Sequence, residues 1–179
     1  MRAFIAVEIP EHIRSEIFSL VSGFQSGIKP ILTNNIHITM EFLGEIDENG
    51  IAEVVSIIEN TSLSPFTLSL GKARTFGSSG SVAFMDIVDG KKELKILYES
   101  MHGKLAKIKK LDEREYLPHV SIARGSPQAL QLLCDRVNKV WRGSEVFKAD
   151  SIAIKKSILG GMHAEYITVF EKRFGPEHA

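Results

Sequence analysis

Two stretches of this chain carry the same order of elements: a helix, a strand, a helix, then two strands. A shift of 82 residues lays His37 on His119, and the expected hairpin around 66–88 on the one around 148–170. Side-chain identity across that overlay is weak, so the order of elements carries the argument for a repeat. Two such units are expected to build two similar lobes facing each other across a cleft. The fold class that follows is α+β, with residues 1–179 as a single bilobal domain. Each pseudo-symmetric lobe is expected to be an antiparallel sheet with helices on its outer face. Residues 2–8 form a strand outside both units, expected to add to the edge of one lobe.

The helices are read from spacing and end signals. After Pro10, Ile13, Ile17, Leu20, Val21 and Phe24 share one face. Asp47 is placed to cap a second helix carrying Ile51, Val54, Val55 and Ile58. Leu94, Leu97, Met101, Leu105 and Ile108 stripe a longer third helix. Ser126-Pro127 opens a fourth, whose buried face holds Leu130, Leu133, Cys134 and Val137. Strands are expected at 2–8, 36–43, 65–76, 81–88, 118–123, 146–157 and 163–173, with Gly77-Ser78-Ser79-Gly80 as a hairpin loop.

Several function classes are disfavoured by composition. Lys and Arg together number 22, as do Asp and Glu, so the formal net charge is zero. A chain that coats nucleic acid through a long phosphate footprint is usually basic, whereas a pocket for one RNA end needs only a few local donors. No apolar run approaches the roughly 20 residues of a membrane span. The opening Met1–Pro10 segment is too short and is interrupted by Glu8, unlike a secretory signal. Cys134 is the single cysteine, which leaves no intramolecular disulfide and no cysteine cluster for zinc. The expected compartment is the cytoplasm.

The chemistry lies on the two equivalent strands, which read His37-Ile38-Thr39-Met40 and His119-Val120-Ser121-Ile122. Alternate residues of a strand share a face, so His37 goes with Thr39 and His119 with Ser121. Each lobe would present one imidazole and one hydroxyl to the cleft. Two facing histidines suit phosphodiester cleavage without metal: one neutral imidazole takes a proton from water, while the other, protonated, gives one to the departing oxygen. The hydroxyls can donate to the non-bridging phosphoryl oxygens, whose charge grows in the transition state.

His37-Ile38-Thr39-Met40-Glu41-Phe42-Leu43-Gly44 and Pro118-His119-Val120-Ser121-Ile122-Ala123-Arg124 resemble the paired motifs of the two-histidine (2H) phosphoesterases. The likeness is greatest to the RNA 2′,3′-cyclic phosphodiesterases first described as 2′-5′ RNA ligases. Arg2–Pro10 is similar to that family's first strand. The resemblance implies hydrolysis of RNA 2′,3′-cyclic phosphate ends to 2′-phosphomonoesters, with 2′-5′ ligation as the same reaction reversed. It implies His37 as proton donor to O3′ and His119 as the base that activates water, with Thr39 and Ser121 on the phosphate. Ser121 stands where the family more often has threonine, and keeps the hydroxyl. The resemblance also puts Arg124 near the phosphate. Strand parity opposes this unless β-structure ends or bulges at Ala123-Arg124. The expected partner is RNA with 2′,3′-cyclic ends, tRNA fragments among them, bound by a monomer away from membranes.

Other groups carry less. His12, His102 and His163 lack neighbours at metal-ligand spacing, and His178 is in the tail, so neither metal nor cofactor is expected. Cys134 reads as a core residue, Phe76 and Phe84 as hairpin packing, and Lys104, Lys107, Lys109 and Lys110 as a solvated helix face. The glycine-serine loop lacks the lysine of a P-loop. The competing readings are a non-catalytic module that holds an RNA end or nucleotide, and a 2H enzyme for another cyclic or 2′-5′-linked nucleotide. Retention of both histidines and both hydroxyls favours an enzyme, because binding alone is served by lysine or arginine.

Overall fold

The computed structural model describes residues 1–24, 27–62, 64–77, 80–111, 114–160 and 164–175, and of Leu159 the backbone only. The Ser78-Ser79 part of the glycine-serine loop, His163 and His178 lie outside the described residues. The strands are β1 (Arg2–Val7), β2 (Ile28–Pro30), β3 (Ile38–Glu45), β4 (Phe66–Leu68), β5 (Leu70–Thr75), β6 (Val82–Ile87), β7 (His119–Gly125), β8 (Phe147–Ala149), β9 (Ser151–Leu159) and β10 (Ala164–Arg173). The helices are α1 (Glu11–Ser22), α2 (Glu48–Glu59), α3 (Lys91–Ile108) and α4 (Pro127–Val140).

All four helices form where periodicity and end signals place them. The Asp47 carboxylate accepts the Gly50 N–H at 2.8 Å, and the Ser126 hydroxyl accepts the Ala129 N–H at 3.4 Å, each satisfying a first-turn donor. Ile13, Ile17 and Val21 of α1, Leu94, Leu97, Met101 and Leu105 of α3, and Leu130, Leu133, Cys134 and Val137 of α4 are buried in one continuous core. Replacing Asp47 with alanine is expected to cost about 1 kcal/mol. For a chain this size, that lowers Tm by roughly 2–4 °C, while Asp47→Asn should hold the wild-type value; thermal denaturation followed by circular dichroism reads both.

The two expected lobes are the halves of one sheet, joined where β3 meets β7. Antiparallel pairing makes one eight-stranded sheet in the order β10-β9-β1-β3-β7-β6-β5, with β2 alongside β7. Its halves meet through a single residue pair, Ile38 opposite Val120. The two sequence units also exchange parts. The β5-β6 hairpin follows β3 in the chain yet joins β7, and β9-β10 follows β7 yet lies on the β3 side. The helices obey the same rule: α3 packs on β3 and against α2, whereas α1 and α4 pack on β7. Each half of the sheet is therefore built from both units.

Strand 1 is not an edge. It lies between β3 and β9, and Ala3 through Val7 are all buried, as expected for a strand covered on both faces. The expected strand 65–76 breaks at Ser69, whose hydroxyl bonds the Asp89 carboxylate at 2.5 Å and whose carbonyl accepts the Val88 N–H. The break sends β4 to pair with β8 in a separate two-stranded sheet. Likewise 146–157 breaks at Asp150, whose carbonyl accepts the Phe174 N–H at 2.8 Å. No helix among the described residues is long and apolar enough to cross a membrane.

Candidate active site

His37 and His119 stand at matching positions on the face of the sheet away from the helices. His119 is the first residue of β7, and His37 immediately precedes β3, which starts two residues later than the expected 36. Both imidazoles are braced in the same way. His37 Nδ1–H donates to the Asn35 carbonyl at 2.7 Å, and His119 Nδ1–H donates to the Leu117 carbonyl at 2.7 Å. A carbonyl can only accept, so each ring carries its proton on Nδ1 and, when neutral, presents the Nε2 lone pair. The Thr39 hydroxyl donates to His37 Nε2 at 3.0 Å. Ser121 shares the face of His119, and its hydroxyl has no intramolecular partner among the described residues.

Aromatic rings fix both imidazoles. Phe4 stacks on His37 with centroids 4.8 Å apart, and Tyr166 meets it edge-on at 5.5 Å. Phe76 and Phe84 stack on each other at 4.3 Å and meet His119 edge-on at 4.9 and 5.3 Å. Phe84 is buried, as expected of the hairpin, but Phe76 is half-exposed beside the imidazole. Burial pushes the His37 imidazole down to about 4 against the Asn35 carbonyl, with the Lys155 ammonium and His119 adding to the fall. Burial lowers His119 as well, against the Leu117 carbonyl. A neutral imidazole is thus favoured at both positions in the free site.

Arg124 reaches this face through a bulge. On β7, Ser121 lies opposite Phe84 and Ala123 opposite Ala83, which leaves Ile122 as an extra residue. Parity reverses past that point: Ile122 and Ala123 are both buried, and Arg124 is exposed on the side of His119 and Ser121. The bulge falls just ahead of Ala123-Arg124. Strand 3 repeats it at Met40, again three residues past its histidine, since Ala6 faces Thr39 and Ile5 faces Glu41. Phe42 then occupies the place equivalent to Arg124 and is 65% exposed, 6.3 Å from the Phe4 ring. Sequence reasoning passed over Phe42, although the 82-residue shift sets it against Arg124.

A second group ties the halves together from behind. The Tyr116 hydroxyl, three residues before His119, donates to the Thr39 carbonyl at 3.2 Å. Glu41 accepts from the Phe42 N–H at 3.2 Å and from His102 Nδ1 at 2.7 Å, pinning the β3 bulge. His102 is thereby a hydrogen-bond partner of Glu41, as is His12 of Glu145 at 2.6 Å. Lys109 also bonds the Glu45 carbonyl, so that lysine is not simply a solvated one. Cys134 is a buried thiol. No group of three or more His, Cys, Asp or Glu among the described residues is arranged to hold a metal.

A pseudo-symmetric α+β sheet that offers one imidazole and one hydroxyl from each of two bulged strands is the architecture of a 2H phosphoesterase. Residues 10–157 match the family model described as the 2′-5′ RNA ligase superfamily. The chain is 34% identical over 125 residues to an RNA 2′,3′-cyclic phosphodiesterase of Methanocaldococcus jannaschii, covering 69% of this chain and 71% of that protein. It is 29% identical over 127 residues to a protein of the same name from Archaeoglobus fulgidus, covering 69% and 72%. Among solved structures, Escherichia coli LigT complexed with 3′-AMP superposes with a TM-score of 0.81 at 18% identity, over 97% of each chain. TT0787 of Thermus thermophilus does so at 0.79 and 20%, over 99% and 100%. The chain belongs to the 2′-5′ RNA ligase superfamily.

Proposed function

We propose that this chain is an RNA 2′,3′-cyclic phosphodiesterase that opens the ring by metal-independent acid–base catalysis between His37 and His119. The observation that carries the reading is the matched pair of imidazoles, each held by its Nδ1–H so that Nε2 is the reactive nitrogen. The names of the archaeal relatives supply the substrate class. The cyclic phosphate lies between the rings, with Thr39, Ser121 and Arg124 donating to its non-bridging oxygens. His119 Nε2 removes a proton from water as the water oxygen attacks phosphorus in line with O3′. The P–O3′ bond breaks, and His37 Nε2–H passes its proton to O3′, leaving a 2′-phosphate. Lys155 and burial disfavour the His37 proton in the free site, so the negative charge of the bound phosphate is what holds it there. Phe42, exposed beside the His37 stack, offers its ring to the terminal base. With a 5′ hydroxyl in place of water, the same groups open the cyclic phosphate into a 2′-5′ linkage. His119 takes the 5′ hydroxyl proton, the P–O3′ bond breaks, and His37 protonates O3′, each step reversible. The working form is a cytoplasmic monomer acting on RNA ends such as those of cut tRNA.

Incubation of the dialysed protein, in excess EDTA, with a cyclic-ended oligonucleotide tests this directly. Turnover with a 2′-phosphate resonance in the phosphorus NMR spectrum is expected. A predominantly 3′-phosphate product would put O2′ in line with the water and exchange the two histidine roles. Loss of turnover in EDTA with recovery on adding zinc or magnesium would overturn the metal-independent mechanism.

A further inference from the structure

Strand 2 brings an unannounced cation to the cleft face. Lys29 is the middle residue of β2 and lies directly opposite Arg124 in the antiparallel register with β7. Cross-strand partners in register share a face. The Ile122 bulge has already turned that face toward His119 and Ser121. Lys29 and Arg124 are both exposed, and neither forms a hydrogen bond or ion pair with any described residue. Like charges placed directly opposite on a sheet are destabilising. Arg74 and Lys91 are neutralised by Asp86 and Arg173 by Asp150, whereas no carboxylate is placed against Lys29 or Arg124 among the described residues. The approach of β2 is itself tightly set: a Cβ on Gly125 would come within 2.5 Å of the Gly27 carbonyl oxygen, so glycine there allows the two strands to pair. The fold therefore holds two unneutralised cations side by side in a chain of zero net charge.

From this juxtaposition we propose that Lys29 and Arg124 form a subsite for the internucleotide phosphodiester next to the reacting end, which makes a cyclic-ended RNA chain a better substrate than a cyclic mononucleotide. The proposal rests on the phosphodiesterase reading above and specifies its substrate. Arg124 stands three residues past Ser121 on β7, but the bulge leaves it two ladder positions on, opposite Val82 where Ser121 is opposite Phe84, roughly 7 Å of strand at about 3.3 Å per residue. Two long side chains spanning that interval can hold the neighbouring backbone phosphate while Arg124 still reaches toward the reacting one. Lysine suits this duty because a backbone phosphate needs a cation and no sequence readout.

The test compares wild type with Lys29→Ala and Lys29→Glu in two assays. The first is kcat/KM on a 2′,3′-cyclic mononucleotide and on a cyclic-ended single-stranded oligonucleotide. The second is anisotropy with a labelled 2′-phosphate-ended oligonucleotide, which needs no turnover, across a salt series. Lys29→Ala is expected to weaken oligonucleotide binding about 5- to 10-fold and to reduce the slope of log K against log salt by roughly 0.7, the release expected for one phosphate contact on a single strand. Mononucleotide turnover should stay at the wild-type rate. Lys29→Glu should lose more affinity while raising Tm, because it supplies Arg124 with an opposite charge. Unchanged oligonucleotide affinity and slope in Lys29→Ala would overturn the subsite, as would equal losses on both substrates. Wild-type failure to open any cyclic phosphate would instead overturn the phosphodiesterase reading, with the anisotropy series still deciding whether Lys29 holds a phosphate.

Discussion

His37→Ala and His119→Ala are each expected to lower kcat on a cyclic-ended substrate by about 10²–10⁴-fold, the span of a general acid or base. Both side chains lie on the face of the sheet away from the helices and outside the main core, so circular dichroism and Tm should change little. Turnover at the wild-type rate by both folded variants would remove the two-histidine mechanism. The pH dependence follows from the same groups. One imidazole must be neutral and the other charged, so kcat/KM should be bell-shaped, with its two limbs belonging to the pair. Burial lowers both groups in the free site, His37 to about 4. Protonating either one thus requires a pH below the ordinary histidine value of about 6.5. The maximum of kcat/KM should lie on the acidic side of that value, and activity should fall as pH rises through neutrality. The bound phosphate favours the imidazolium, so the kcat profile should stand at higher pH than that of kcat/KM. Coincident profiles centred above pH 7 would contradict the electrostatics described for the free site.

Removing both hydroxyls should have the next largest effect. Thr39→Val keeps the shape of the side chain, and Ser121→Ala leaves a small apolar one. Each deletes a donor aimed at the phosphate, a loss on the order of 10²-fold or less in kcat where transition-state charge is concerned. Thr39 also donates to His37 Nε2, so its removal frees the imidazole as well as the phosphate oxygen. If both hydroxyls serve one phosphate, the double variant will depart from the product of the single effects. Simple multiplicativity, with KM rather than kcat carrying the change, would assign them to ground-state binding.

The helices and the paired motifs were legible because their signals are local. Asp47 and Ser126 mark helix starts by side chains that bond a backbone N–H three residues on, and the apolar stripes need only a period of 3.6. Which strand lies beside which is not local. Nothing within residues 66–88 says that the β5-β6 hairpin leaves β3 for β7, since the preference resides in packing between distant segments. Strand 2, three residues ending in Pro30, is too short to show a period. Arg124 illustrates the limit most clearly. Alternation assigns it to the wrong face, and only the register against β6 shows the extra residue at Ile122. The aromatic brace of His37 was hidden for the same reason, because Phe4 and Tyr166 come from β1 and β10, at opposite ends of the chain.

The exchange of hairpins between the two units has a kinetic meaning. Strand 1 finds its sheet neighbours at residues 38–45 and 151–159, and β7 finds its hairpin some 35 residues upstream. Loops of that length must close before any of these pairings is rewarded, so the topology has high contact order and belongs with slowly folding mixed proteins. Helices can form early from local contacts, but the sheet cannot be completed by either unit alone. During synthesis, β3 and β1 emerge long before β9 and wait with an unpaired edge of buried side chains. The aromatic brace of His37 is consequently completed late, because Tyr166 of β10 reaches it only when the β9-β10 hairpin has returned to the first strand.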